Sequence, residues 1–160
     1  MEKFLSTDDK SWALMLQRIA LGAVMFPHGA QKLLGWFGGY GFSGTMGFFT
    51  GTMHIPAPIA LLIILGESIG ALMLVLGLAT RLSAVGVALI MLGAVATTHA
   101  SNGFFMNWFG GQAGEGIEYH VLALALAVPL AIWGGGRHAL DTALRARLSG
   151  RVGVPAASNA

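Results

Sequence analysis

The chain has 160 residues, room for one domain, and is 55% hydrophobic but only 10% charged, where soluble domains carry about 25% charged residues. Too few polar groups remain to cover a soluble globule, and a mean hydropathy of +0.71 excludes a disordered chain. The net charge of +2 does not make a nucleic-acid-binding surface, and the absence of cysteine excludes disulfides, thiolate nucleophiles and Cys-ligated metal centres.

A hydrocarbon core of about 30 Å needs about 20 apolar residues per helix, and four stretches qualify. The first, about 12–34, is too long for a signal-peptide core and carries Arg18 inside it. Arg18, His28 and Lys32 fall on one face at 100° per residue, and Pro27 should kink the helix and leave local polarity. The connection 35–56 is glycine-rich and aromatic; Ser43 could cap a short helix bearing Met46, Phe48, Phe49 and Met53. The second span, about 57–79, holds Glu67 between Gly66 and Gly70, a GxxxG spacing that admits a close neighbour. The third, about 82–100, ends at His99. After a second aromatic connection, 101–117, the fourth span, about 118–133, opens on Glu118, Tyr119 and His120. Beyond Gly136, residues Ala139, Leu140, Ala143, Leu144 and Leu148, with Arg145 and Arg147 among them, predict a short amphipathic helix on an anionic surface.

The expected fold is therefore all-α: an integral membrane four-helix bundle, up-down-up-down, with short interfacial helices in the first external loop and in the C-terminal tail. Residues 1–148 form the single transmembrane domain, and 149–160 read as a disordered tail. Lys3, Lys10, Arg81, Arg137, Arg145, Arg147 and Arg151 fall on one side, while both long connections lack Lys and Arg. The positive-inside rule then places both termini in the cytoplasm and both aromatic loops outside.

An ionisable group inside lipid is expensive and needs a reason. The outer half of the bundle collects His28, Lys32, Glu67, His99, Glu118 and His120. Helical side chains lean toward their own N-terminus, so Lys32 and His28 lean toward Glu67, and either is a better partner for it than Arg18. Arg18 leans the other way and should snorkel to the cytoplasmic surface. Glu67, His28, Lys32 and Glu118 are the candidate catalytic groups; Arg18, His99, His120, Trp36, Trp108 and Tyr119 are candidate ligand contacts. The aromatic residues of the loops suit an interfacial belt or a lid over a cavity between helices. Three histidines from three spans, with no HExxH pair, do not argue for a metal or haem site.

The stretches RIALGAVMFPHGAQKLLGW, GESIGALMLVLGLATRLSA, GEGIEYHVLALALA and GGGRHALD, in that order, resemble the helix motifs of the DoxX family over roughly residues 12 to 142. Arg18, His28, Gly29, Lys32, Glu67, Arg81, Glu118 and Asp141 match its pattern. The resemblance implies a four-helix protein of a bacterial or archaeal cytoplasmic membrane, in a family named after a subunit of a thiosulfate:quinone oxidoreductase and associated with redox complexes. The function expected is a quinone-linked redox module, with an aromatic slot, a donor to the quinone oxygen at His28 or Lys32, and proton transfer by Glu67 and Glu118. The alternatives are a non-catalytic scaffold for a redox partner subunit, and a small-solute or lipid transporter. The glycine content invites a homodimer.

Overall fold

The computed structural model describes residues 7–150. Lys3, Arg151 and the rest of the tail from 151 onward, all used in the sequence reading, lie outside the described residues. The described chain is helical and contains no strand. Helix α1 spans Trp12–Leu34, α2 Gly41–Gly47, α3 Ala57–Leu76 and α4 Thr80–Asn102, α5 Glu118–Trp133 and α6 Leu140–Gly150. Helix α1 lies against α3, α3 against α4, α4 against α5, and α5 back against α1.

Helices α3 and α4 are long and apolar enough to cross a membrane. Only 33% and 22% of their most apolar windows are buried within the chain, so most of their aliphatic surface faces outward. Leu62, Leu82 and Leu89 are among the exposed side chains. Inside, Leu21, Met25, Leu74, Val87, Met91, Ala127 and Leu130 make the main core. A second cluster of Phe49, Ala60 and Ile64 fastens the first loop to α3, with Leu33 and Met46 packed against it.

Ser11 caps α1 by accepting from the Leu14 amide at 3.3 Å. Gly35, in the left-handed region at φ 74°, ends the helix, a backbone state that glycine enters without steric cost. Pro27 lies inside this helix. Ser43 is not the cap of the short helix: it lies within α2, and Tyr40 holds the capping position without a side-chain bond.

The close helix approach is not where the GxxxG spacing placed it. A Cβ on Gly70 would meet only ordinary contact, at 3.8 Å, and one on Gly66 would press an Ile90 methyl, not a backbone. On α1 the situation differs. A Cβ on Gly22 would sit 2.7 Å from the Ala71 carbonyl, and one on Gly29 would collide with the Glu67 carbonyl and the Ser68 amide nitrogen. Helix α1 thus rests on the α3 backbone through Gly22 and Gly29, which lie seven residues apart and share a face. Gly29 touches α3 at Glu67 itself.

Candidate functional site

Four helices contribute to one polar cluster. Lys32 from α1 forms an ion pair with the Glu67 carboxylate of α3. Glu67 is 5% exposed, and the Lys32 side chain is 25% exposed. An ion pair taken out of water must be held in good geometry to repay its desolvation. Here Gly29, one turn below Lys32, brings the two backbones together. Glu67 also lies in a widened helical turn, Gly66–Gly70, with i→i+5 bonding. Such π-bulges often mark functional sites. The next residue, Ser68, returns its hydroxyl to the Ile64 carbonyl at 2.6 Å and needs no other partner.

Histidines and a tyrosine continue from this pair. His28 packs on Tyr119 of α5 with ring centroids 5.7 Å apart. Tyr119 lies against His120 at 5.6 Å, and its hydroxyl is directed at the Met25 sulfur at 3.2 Å. His120 and His99 are in close contact at 4.2 Å. His99 closes α4 in a second widened turn, Val95–His99. Its Nδ1 lies 2.8 Å from the Glu115 carbonyl. A carbonyl only accepts, so Nδ1 carries the proton and Nε2 of the neutral ring keeps its lone pair. His120 is 5% exposed, and its Nδ1 is buried with no hydrogen-bond partner.

Beside Lys32, a cavity of about 250 Å³ opens between the end of α1 and the first loop. Gln31, Lys32, Tyr40, Thr45, Phe48 and Phe49 line it, with Gly38 and Gly39. Gly39 packs against the Gln31 backbone, where a Cβ would collide. The wall is thus an aromatic surface with an ammonium and an amide set into it. Lys32 is the member of the polar cluster that lines the cavity.

Other residues singled out from the sequence go elsewhere. Trp36 and Trp108 are 54% and 78% exposed and belong to the loop surface, not to the cluster. Glu118 folds the second loop: its carboxylate accepts from the Met106 amide at 3.2 Å, and its own amide donates to the Phe104 carbonyl at 2.8 Å. Arg18 does not snorkel. It is 3% exposed, at the opposite end of the helices, and its guanidinium donates to the carbonyls of Leu74, Val75, Gly135, Arg137 and His138. Near it the Asp141 carboxylate accepts from the Ala79 and Thr80 amides at 2.7 and 2.9 Å, and so caps α4. Arg18 and Asp141 bind the ends of α3, α4 and α5 to α6.

The DoxX family profile matches residues 13–100, more than half of the chain. The chain belongs to the DoxX family. A protein of Bacillus subtilis (strain 168) named "Putative oxidoreductase CatD" is 32% identical over 127 residues, covering 79% of this chain and 83% of that relative. No solved structure matches. DoxX proteins are membrane-associated, which agrees with the outward-facing aliphatic surface of α3 and α4. Within this DoxX chain two groups of the residues singled out from the sequence stand apart. His28, Gly29, Lys32 and Glu67 build the polar cluster, while Arg18 and Asp141 build the knot at the far end. The glycine contacts, the cavity beside Lys32 and the capping role of Asp141 were not assigned from the sequence. The seven-residue spacing of Gly22 and Gly29 is the one local signal that pointed to any of them.

Proposed function

We propose that the protein is a membrane-embedded redox module that takes a quinone head group into the cavity beside Lys32. The carrying observation is the Lys32–Glu67 pair at the edge of an aromatic-walled cavity. The residues fit the group. Phe48, Phe49 and Tyr40 supply apolar ring surface, and Lys32 and Gln31 supply N–H donors for carbonyl oxygens. A volume of about 250 Å³ suits a single ring, with any isoprenoid tail left in the lipid. When bound, a quinone supplies the capacity to take up two electrons and two protons. The chain's own part is to hold and orient the ring, exclude water from one wall, and hold a proton at the Glu67 carboxyl or the Lys32 ammonium. The relative's name supports an oxidoreductase assignment, and electrons would arrive from a partner subunit.

Gentle purification followed by solvent extraction tests this reading. About one quinone per chain is the expected result, with Lys32→Met and Phe49→Ala lowering the occupancy. A chain free of quinone that copurifies with a tightly bound subunit would replace the reading with that of a scaffold. Bound phospholipid together with proton-coupled solute flux in liposomes would replace it with a transporter.

In the same reading α1, α3, α4 and α5 together span a cytoplasmic membrane of a bacterium or archaeon. Both termini are inside and the cavity faces the outer leaflet. The cysteine-free background allows a direct test with Gly44→Cys and Ala113→Cys. An impermeant thiol reagent should label both in intact cells. Labelling only after permeabilisation would reverse the orientation.

A further inference from the structure

Of the polar cluster, Lys32 lines the cavity and the histidines do not. The cavity is lined from α1 and the first loop, and no histidine reaches it. The histidines instead run from His28, the chain neighbour of the Gly29 that rests on the Glu67 backbone, past Tyr119 to His120 and then His99. His120 and His99 stand near the outer ends of α5 and α4, where His99 meets the second loop at Glu115.

We propose that His28, His120 and His99 carry protons between Glu67 and the outer aqueous face, by a route separate from the ligand cavity. The proposal takes from the reading above that Glu67 exchanges protons and that the His99 and His120 ends of α4 and α5 face outward. Several observations carry it. His120 is 5% exposed, and an ionisable ring buried among membrane-spanning helices calls for a role. Its ring is in contact with His99, 4.2 Å between centroids. His99 is half-buried, and its Nδ1–H is held by the Glu115 carbonyl. That bond leaves Nε2 as the atom that accepts an incoming proton.

An imidazole suits such a task because it takes up and releases a proton near neutral pH, and at His99, whose Nδ1–H is held by the Glu115 carbonyl, Nε2 does both. Inward, water gives one proton to His99, each imidazolium N–H passes one to the next imidazole nitrogen, and the His28 N–H gives the last to a Glu67 carboxylate oxygen, so every hand-off moves one proton and its charge. Tyr119 is a spacer, not a carrier, because its hydroxyl is turned to the Met25 sulfur. The transfer from His28 to His120 must therefore cross the edge of the Tyr119 ring, through one bridging water or a ring rotation. Lys32 and Glu67 are the charged groups at the route's inner end; at its outer end Glu115 meets His99 through its backbone carbonyl, with its carboxylate on the Asn107 amide. Glu118 is held by the Met106 amide and takes no part in the route.

The test uses quinone-free protein in detergent. After a rapid drop to about pH 3, below the ordinary glutamate range near 4.3, infrared spectroscopy follows the growth of the protonated carboxyl band of Glu67. The band is assigned by its loss in Glu67→Gln. Proton uptake should slow about 100-fold in His120→Ala and in His99→Gln, the lower end of what a positioned acid–base group contributes. Added imidazole should restore part of the rate, which a purely structural ring would not permit. His99→Gln keeps an N–H donor toward Glu115 and serves as the test if His120→Ala does not fold. Unchanged uptake in folded variants, slowing that imidazole fails to relieve, or a Glu67 that never takes up a proton would each overturn the route. Because no quinone is present, a failed route is separable from a failed quinone reading, which the extraction experiment decides.

Discussion

Glu67→Gln is expected to abolish quinone-coupled turnover, by about 100-fold or more, while the protein remains folded and keeps its ligand. The amide has the shape of the carboxylate and retains an oxygen for Lys32 to donate to. What it loses is the negative charge and the ability to take and release a proton. Glu67 is 5% exposed, sits in a widened turn, and is pressed against α1 at Gly29. If the pair only pinned α1 to α3, the variant would lose some stability and none of its rate. Turnover measured with the purified protein or its complex, beside a thermal melt, separates these outcomes. Normal turnover in a well-folded variant would end the proton-transfer role. A second experiment uses the geometry of the pair. Lys32→Met leaves a buried carboxylate without its counter-charge, so combining it with Glu67→Gln should cost less stability than the sum of the single changes. Residues in direct contact couple by about 0.5–3 kcal/mol.

Much of this site follows from local rules. The helical period puts His28 and Lys32 on one face of α1, and the lean of side chains toward the helix N-terminus points Lys32 at Glu67. That argument uses only residue spacing and helix direction, and the observed ion pair is one of the two partners it allowed. Where the sequence reading failed, the cause is long-range geometry. Gly66 and Gly70 have the spacing of a packing motif, yet the α1 backbone is met by Glu67 and Ser68, because the contacting helix supplies the glycines. Arg18 turns away from the polar cluster as expected. It finds carbonyls from residues 56 to 120 positions away before it reaches water, and no period in the chain encodes that meeting. The cavity depends on how the first loop folds back on Gln31, which only a three-dimensional contact at Gly39 determines.

Arg18→Met should remove most of the protein's stability without touching the polar cluster. The guanidinium has five N–H donors in a fixed fork, and here they reach five carbonyls. Gly135 accepts from Nε at 2.8 Å, and Leu74 and Val75 accept from one terminal nitrogen at the end of α3. Arg137 and His138 accept from the other, each at 3.2 Å. The bonds to Gly135 and Leu74 are fully buried. Methionine fills much of the same volume and donates nothing. A buried acceptor left unsatisfied costs about 1–3 kcal/mol, so these two alone predict a loss of about 2–6 kcal/mol, and the three part-buried carbonyls add to it. Against a total stability of about 5–15 kcal/mol, the variant should melt far below the parent or fail to accumulate. Arg18→Lys keeps a charge opposite Asp141 but loses the fork, and should fall between the two. Gly77 and Gly135 pack against the Arg18 side chain, leaving no room for a Cβ at either, so the surroundings cannot close over the missing donors. A variant Arg18→Met that melts within a few degrees of the parent would mean that water already reaches these carbonyls, and that α6 rather than Arg18 holds the far end together.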